Sequence, residues 1–392
     1  MVDVLGLTLI LPLLPFFAER LGATPAVVGL LIATYAACQL VAGPMLGRIS
    51  DHVGRRPVLL VSQMGTFVGF LLLAFAPSLW LVFVSRAIDG LTAGNLSLAQ
   101  AYIVDVTRPE ERAKSFGIIG IAFGIGFLVG PGVSGYLSTF GYQWPILAAA
   151  GLSFSSIMAT TFLLPAVPPR PEGEVDEGPI APGGKRLTLL AWGTYLEYFR
   201  RPELAGLLAQ FFAFALSFSA FFGGFALYAE RRFWWRGHPF GVKEVGFAFA
   251  FAGFLGIILQ GGLIGKLVKR FGERNLVWSG FLAATVGYAG LAYSWTIPQL
   301  VMIGIVSSYG NGVLRPSITS LITRRTGRRE QGVVLGLTQS LTSVAQIVAP
   351  SVAGYLIGKG WLAAWALAAA VTTCIGMLVP KLQKEARATL EA

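Results

Sequence analysis

The sequence predicts an all-α membrane protein with twelve transmembrane helices, arranged in two similar halves of six. Of its 392 residues, 55% are hydrophobic and 12% are charged. The charged share is about half of that in an ordinary soluble domain. Apolar runs of roughly twenty residues, long enough to cross a bilayer, alternate with short polar loops. Sequence features of the first half also recur in the second half, which indicates an internal duplication.

One short charged loop, Gly47–Arg56, organises the first half. It lies between the apolar runs Val27–Leu46 and Val58–Ala76, and Pro57 follows it. Proline suits the first position of a helix, because the N–H it lacks would have no partner there. The loop therefore predicts a hairpin at one membrane face.

The duplication is visible in two sets of matched residues. In the loop, Gly47, Gly54 and Arg56 recur as Gly265, Gly272 and Arg274. A second set recurs at one constant offset, and it matches Gly117, Pro131, Gly135 and Tyr136 to Gly336, Pro350, Gly354 and Tyr355. Repeats of this kind are a common way to build transporters.

The apolar runs define twelve predicted spans. They are Val2–Ala18, Val27–Leu46, Val58–Ala76, Leu79–Val104, Ser115–Ser138, Trp144–Leu164, Leu204–Ala229, Val245–Leu267, Leu276–Tyr293, Ile297–Ile322, Gly332–Ile357 and Trp361–Val379. An even number of spans places both termini on the same side.

The distribution of basic residues predicts which side that is. Loops on the side of the termini hold 22 Lys and Arg, and the opposite loops hold 6. Basic loops stay in the cytoplasm, so both termini are predicted to be cytoplasmic, in a bacterial inner membrane. No cleavable signal peptide is predicted, and the short first run leads us to expect that the natural chain begins slightly earlier.

Four segments follow from this topology. Residues 1–164 form an N-terminal six-helix bundle, 165–203 a cytoplasmic linker, 204–380 a C-terminal six-helix bundle and 381–392 a cytoplasmic tail. The linker is acidic and rich in Pro and Gly at first. Its later part, Lys185–Arg201, mixes apolar and basic residues and is predicted to lie along the membrane interface.

Several other classes of function are disfavoured. The net charge of +11 comes from residues in loops between apolar runs, which indicates topology signals rather than a nucleic-acid surface. Cys38 and Cys374 lie inside apolar runs without a nearby partner, as buried free thiols do. The two histidines, His52 and His238, lie in different loops. We therefore predict no metal, no cofactor and no enzymatic centre. One chain contains both halves of a cavity, so a monomer in the lipid bilayer is expected.

Charged residues inside spans are costly and are functional candidates by default. Arg86 and Asp89 lie three residues apart on one helical face. They are either a structural ion pair or a proton site, because the cation favours ionisation of the carboxyl while burial opposes it. Asp3, in span 1, either binds protons or faces water. Arg315, in span 10, either binds an anionic substrate group or anchors structure.

Span 5 is rich in glycine. Small residues at four-residue spacing allow helices to pack closely, and Pro131 permits a bend. The helix is either statically packed or able to shift, and the second reading is favoured. Polar and aromatic residues predicted to line a substrate cavity, together with Arg315, are Tyr35, Gln39, Asn95, Phe123, Phe218, Asn311 and Gln339.

These segments resemble the major facilitator superfamily. Gly47-x-x-x-Asp51-x-x-Gly54-Arg55-Arg56 is similar to that family's signature between spans 2 and 3. Arg86-x-x-x-Gly90 is similar to its span 4 motif, although Asp89 stands where a neutral residue is usual. In span 5, the region of Gly126, Gly130, Pro131 and Gly135 resembles the antiporter motif.

The span 1 segment Leu5-Gly6, followed five residues later by Pro12-Leu13-Leu14-Pro15, resembles twelve-span drug/proton antiporters. Within that group the chain is most similar to tetracycline/proton antiporters, through Gly54–Leu60 and Ala101–Asp105. Tetracycline exporters carry an acidic residue in span 3. Here Val68-Gly69-Phe70 occupies that region, and the C-terminal spans hold no acidic residue in their interior.

The resemblance implies a rocking cycle around a central cavity between the halves. It implies that Asp51, Arg55 and Asp105 help to latch the cytoplasmic side when the opposite side is open. It also implies proton coupling, with Asp3 matching an acidic span 1 position.

Three hypotheses remain open at this point. The first is a proton-coupled exporter of amphipathic small molecules, in which Asp89 or Asp3 takes up the proton. The second is a transporter of a small anionic metabolite that uses Arg86 and Arg315. The third is a membrane sensor or scaffold, which the lack of a sizeable polar domain disfavours.

Overall fold

The structure is a computed structural model that describes residues 2–107, 112–165, 198–326 and 331–391. For residues 2–3, 104, 112–120, 202, 331–333 and 381–391 it describes the backbone only. The described chain is almost entirely helical. Its strands are β1 (Trp234–Trp235) and β2 (His238–Pro239), which pair as a small antiparallel hairpin.

Eight helices precede the linker. They are α1 (Val2–Ile10), α2 (Leu14–Arg20), α3 (Pro25–Val53), α4 (Arg55–Ala74), α5 (Leu79–Leu91), α6 (Asn95–Val106), α7 (Arg112–Leu137) and α8 (Gln143–Leu163). A 3₁₀ turn, Ser138–Phe140, follows α7.

Seven helices follow the linker. They are α9 (Pro202–Arg232), α10 (Val242–Ile258), α11 (Ile264–Phe271), α12 (Glu273–Ala292), α13 (Ile297–Arg324), α14 (Gln331–Gly358) and α15 (Leu362–Glu391). A π-helical turn, Leu259–Leu263, joins α10 to α11.

Two predicted spans are broken helices rather than continuous ones. Span 1 is interrupted between α1 and α2 at Pro12, which has no N–H to continue the helical hydrogen bonds. Span 4 is interrupted at 92–94, where Ser62 of α4 hydrogen-bonds the backbone. Its hydroxyl donates to the Thr92 carbonyl and accepts from the Gly94 N–H at 3.1 Å. A neighbouring helix thus satisfies the backbone groups that the break releases.

The last helix is longer than predicted. The sequence predicts that span 12 ends at Val379, with a separate tail from 381, but α15 continues to Glu391. The added segment is rich in Lys, Glu, Ala and Leu, which are good helix formers. The polar tail therefore extends the transmembrane helix. The interfacial helix predicted at Lys185–Arg201 lies mostly outside the described residues.

The predicted fold class is confirmed. Nine helices in the described part of the chain are long and apolar enough to cross a membrane. The three remaining predicted spans are the two broken ones and α12. Large apolar side chains such as Phe162 and Leu163 are exposed on the outside of the bundle, where lipid would cover them. The molecule is a helical polytopic membrane protein.

The helix bundle has two ends. Glu19 lies near the end of α2 and marks the Glu19 end, and Asp51 lies near the end of α3, one membrane crossing away, and marks the Asp51 end. Six of the seven exposed tryptophans among the described residues lie in or beside the loops of the Glu19 end, namely Trp80, Trp144, Trp234, Trp235, Trp295 and Trp361; Trp278 lies near the start of α12, at the other end. Tryptophan is enriched where protein meets the lipid headgroups, so these six residues indicate the interface at the Glu19 end.

Candidate functional site

The buried ion pair predicted in span 4 forms on α5. Arg86 Nη1 lies 3.2 Å from Asp89 Oδ2, and each residue is 4% exposed. The Thr66 side chain of α4 hydrogen-bonds the Asp89 carboxyl. The Arg86 guanidinium lies 5.9 Å from the centre of the Phe70 ring, also on α4. A charged pair is therefore held against α4 inside the bundle.

The pair does not use all of the hydrogen-bonding capacity of Arg86. Its Nε and Nη2 atoms are buried and have no partner among the described residues. A buried guanidinium with two free donors is costly unless water, a substrate or a rearranged carboxyl meets them. This makes the pair a candidate site for chemistry and not only a structural contact.

Two glycines bring the neighbouring helices close to this pair. A Cβ on Gly69 of α4 would lie 3.1 Å from the Cβ of Asp89, and one on Gly90 would meet Tyr35 and Cys38 of α3. Tyr35 interacts electrostatically with both Asp89 and Arg86. Its hydroxyl also accepts a hydrogen bond of 3.3 Å from Gln39. Two predicted cavity residues are thus placed next to the ion pair.

Sequence reasoning missed Thr66 and Gly69. Thr66, Gly69 and Phe70 are spaced by three and four residues, so they share one face of α4. That face became informative only once α4 was known to pack on α5. The other predicted proton site, Asp3, lies on α1, but its side chain is outside the described set.

The predicted latch residues are brought together at the Asp51 end. Arg55 pairs with Asp51 at 2.6 Å and with Asp105 of α6 at 2.8 Å. It also donates to the Ser50 hydroxyl at 2.6 Å and to the Gly47 carbonyl at 3.4 Å. One guanidinium therefore ties the end of α3 to the end of α6.

The turn beside this cluster depends on glycine. Gly54 has φ of 100° and Gly272, its repeat, has φ of 76°, a region that residues with a Cβ rarely adopt. Arg56 follows and donates to the Thr161 carbonyl of α8. The turn therefore aims two consecutive arginines at different helices.

The second half carries a cluster of inverted charge at the equivalent place. Glu273, which matches Arg55 in the repeat, accepts from Ser320 at 2.6 Å and pairs with Arg324 at 3.1 Å. Arg324 lies at the end of α13, as Asp105 lies at the end of α6. The repeat thus conserves the geometry and exchanges the signs.

The glycines of the antiporter-motif helix face two different neighbours. A Cβ on Gly126 would meet Val4, and one on Gly130 would meet Thr8, both of α1. Farther along, Pro131 and Gly135 pack against α10. A Cβ on Gly135 would lie 2.9 Å from the Cα of Lys243. Span 5 is therefore wedged between span 1 of its own half and span 8 of the other half.

The two halves meet along two equivalent seams. On one, Gly246 of α10 abuts the Pro131 carbonyl of α7; on the other, Gly29 of α3 abuts the Pro350 carbonyl of α14. Pro131 and Pro350 are matched residues of the repeat. Replacing either glycine by a larger residue would force backbones apart, so both seams depend on the missing side chain.

The seams are closed toward the Glu19 end. Gly354 packs against Pro25 and Ala26 there, in the same way that Gly135 packs against Lys243. Toward the Asp51 end, Cβ positions on three seam glycines have no neighbour within 4 Å among the described residues; these are Gly43, Gly336 and Gly256. Among the described residues, the closest backbone contacts between the halves therefore lie toward the Glu19 end.

The cavity residues predicted in the second half differ in their surroundings. Asn311 accepts a hydrogen bond of 3.0 Å from the buried Tyr288 hydroxyl. Phe218 stacks between Phe214 and Phe222, with ring centres 5.8 and 5.6 Å apart. This column reaches the first half, because Phe222 meets Phe127 of α7 edge-on at 5.8 Å.

The remaining predicted cavity residues are less constrained. Arg315 is exposed on α13, directly before Pro316. Gln339 is exposed on α14, and Phe123 is half-buried on α7. Asn95, at the start of α6, has a buried Oδ1 without a partner in the described part of the chain.

The bundle, its buried charges and its two seams define a membrane transporter built from two repeated halves. The sequence matches the profile of the Major Facilitator Superfamily over residues 1–298 and 261–391, and the chain belongs to this family. It is a transporter and not an enzyme.

Known relatives extend this identification. The chain is 29% identical to the class C tetracycline resistance protein of Escherichia coli, over 89% of this chain and 85% of that protein. It is 24% identical to the quinolone resistance protein NorA of Staphylococcus aureus, over 99% and 95%. The crystal structure of the nucleoside transporter NupG has the same fold, with a TM-score of 0.74 at 16% identity over 97% of each chain.

Proposed function

We propose that this protein is a proton-coupled exporter of amphipathic small molecules that works by alternating access. The observation that carries the proposal is the buried Arg86–Asp89 pair, held inside an apolar bundle. The similarity to tetracycline and quinolone resistance proteins supports export as the direction.

Asp89 is the proposed proton carrier. A neutral carboxyl is less costly to bury than a carboxylate, so protonation would release Asp89 from Arg86 and change the balance between two conformations. Arg86 then favours release of the proton from Asp89 to water, because a nearby cation stabilises the carboxylate. Asp3 is the second candidate carrier.

The proposed cycle opens and closes the two seams in turn. The close contacts between the halves toward the Glu19 end support a state that is closed at that end. In the other state the Asp51 end would close, and the Arg55 cluster with Asp51 and Asp105 would help to latch it. The substrate would bind between the halves, near Tyr35, Phe218 and the other predicted cavity residues.

The distribution of basic residues supports the orientation. We propose that the Asp51 end and both termini are cytoplasmic and that the membrane is a bacterial inner membrane. The proposed units are the helix bundles 1–164 and 204–380, joined by the linker 165–203, with 381–392 as the tail. Each monomer would carry one substrate pathway and exchange protons for substrate.

The test is proton movement in proteoliposomes when substrates are added. The panel contains lipophilic cations, neutral amphipathic drugs and organic anions. We expect cations or neutral drugs to release protons from the wild type and not from Asp89→Asn. Glu203→Gln, which changes an exposed carboxylate in the first turn of α9, is the matched control and should keep proton coupling. Normal coupling in both Asp89→Asn and Asp3→Asn would contradict the assignment.

A second candidate function is transport of a small anionic molecule. Arg315 favours it, because this cation lies within the long apolar helix α13 and has no ion pair among the described residues. Arg86 would be the second anion-binding group. Thermal stabilisation by an organic anion, lost in Arg315→Gln, together with proton movement in response to anions alone, would favour this function over drug export.

A further inference from the structure

One ion pair joins the two halves in the described part of the chain. Arg231 Nη2, at the end of α9, lies 2.5 Å from Glu19 Oε1, at the end of α2. The remaining ion pairs of the described residues stay within one half. The Glu19–Arg231 pair lies at the end where both seams are closed. It can form only while that end is closed.

A second carboxyl shares the same guanidinium. Arg231 Nη1 lies 3.0 Å from Glu230 Oε2, and it also donates to the Leu227 carbonyl at 3.0 Å. The Glu19 and Glu230 carboxyls lie close together because both bind this one guanidinium. Burial and the neighbouring Glu19 carboxyl raise the pKa of Glu230. Two carboxylates in one site repel, and a hydrogen bond between them requires a proton on one.

The other charged and titratable groups nearby do not supply the positive charge that the shared proton provides. Arg20 of α2 is directed away, over the Tyr142 ring before α8, at 5.5 Å from its centre. Tyr142 lies close enough to Glu230 to interact with it electrostatically. Arg232 is used elsewhere, because it donates to the Ser294 carbonyl at 2.8 Å and lies over the Trp295 ring. Arg231 is thus the one cation of the cluster that meets both carboxyls.

We infer that Glu19 and Glu230 form a proton-dependent switch that closes this end of the transporter. With one shared proton, the two carboxyls and Arg231 form a neutral cluster across the halves. Without it, two carboxylates face each other around one guanidinium and favour separation of α2 from α9. The switch is distinct from Asp89, which lies inside the first half.

The sign of the pH dependence follows from this difference in bound protons. The closed cluster holds one proton more than the separated residues do. The ratio of closed to open molecules is therefore highest at low pH and falls as pH rises, by up to about tenfold per pH unit for one proton. In the proposed orientation, acid outside the cell would return the emptied transporter to the state that opens toward the cytoplasm.

The experiment measures the separation of the halves directly. In a background with Cys38→Ser and Cys374→Ser, spin labels are placed on Thr139→Cys and Lys359→Cys, both exposed at this end. Double electron–electron resonance in nanodiscs then gives the closed fraction from pH 5 to pH 9. We expect it to fall with pH in the wild type.

Substitutions then locate the switch. Glu230→Gln cannot ionise and keeps a hydrogen-bond donor toward Glu19, so we expect it to stay closed at all pH values. Glu19→Gln should behave alike and is the second variant if Glu230→Gln does not fold. Arg231→Gln removes the counter-charge and should shift closing to lower pH. Glu244→Gln, at the same end of the bundle, is the matched control and should follow the wild type.

Three outcomes would overturn the inference. They are a closed fraction independent of pH in the wild type, a wild-type profile in both glutamine variants, and loss of the pH dependence in Asp89→Asn alone. The last outcome would assign the pH response to the interior pair. Failure of Asp89→Asn to affect proton coupling, with the switch intact, would instead contradict only the proposed function.

Discussion

Gly69 lies directly against Asp89: a side chain at Gly69 would place its Cβ 3.1 Å from the Cβ of Asp89. The chain therefore has room for only one large group where α4 meets α5. Position 69 on span 3 carries no side chain, so the Asp89 carboxyl on span 4 can occupy the space beside it.

We predict that the functional carboxyl can be moved by mutation from position 89 to position 69. Asp89→Ser should lose proton-coupled transport, and the double variant Gly69→Asp/Asp89→Ser should regain it, because Arg86 remains within reach of both positions. Proton release in proteoliposomes measures the effect. Gly151→Asp/Asp89→Ser is the control, since Gly151 has no neighbour within 4 Å and should not rescue. A correctly folded but inactive Gly69→Asp double variant would contradict the prediction.

Asp51 and Asp105 should contribute unequally to stability, although both pair with Arg55. The side chain of Asp105 is 12% exposed, whereas that of Asp51 is 47% exposed. Asp105→Asn should lower the free energy of unfolding by roughly 1.5–3 kcal/mol, and Asp51→Asn by about 1 kcal/mol or less. Thermal unfolding in detergent measures both. Equal losses would show that burial does not set the strength of this cluster.

The seam glycines should control which end of the bundle opens. Gly29→Leu and Gly246→Leu would force the Pro350 and Pro131 carbonyls away, so we expect both to favour separation at the Glu19 end. Thiol labelling of Ala26→Cys, in the background without native cysteines, should become faster. The matched controls Gly43→Leu and Gly256→Leu lie on the same two helices without close neighbours and should label as the wild type does. The same labelling rate in all four variants would contradict a gating role for the seams.

Phe218 should contribute to substrate affinity. It stacks between two other rings on α9 and is half-buried, so it offers an aromatic surface to a flat substrate. Phe218→Ala should weaken binding of aromatic substrates by about 1–2 kcal/mol, which is roughly a five- to thirtyfold rise in Kd. Fluorescence titration measures it. Phe247→Ala, an exposed phenylalanine on α10, should leave Kd unchanged.

The sequence alone predicted much of the candidate site. Charges inside apolar runs are rare, so Arg86, Asp89 and Arg315 were recognisable without a structure. The three-residue spacing of Arg86 and Asp89 predicted that they share one helical face, and the structure places their charged groups 3.2 Å apart. Thr66 and Gly69 could not be recognised, because small and weakly polar residues are common in transmembrane helices and show nothing of the helix they face.

The sequence by itself determined the class of this protein and its duplicated plan. Hydropathy determines the class, because the bilayer requires about twenty apolar residues per crossing. The matched glycines and prolines determine the duplicated plan, because both halves use the same kinds of helix contact. Only the tertiary structure decided that Gly29 meets Pro350, that Gly246 meets Pro131, and that Glu19 reaches Arg231. These contacts join residues that are far apart in the chain, and no local pattern specifies which helices become neighbours. The close approach of packed helices decides that.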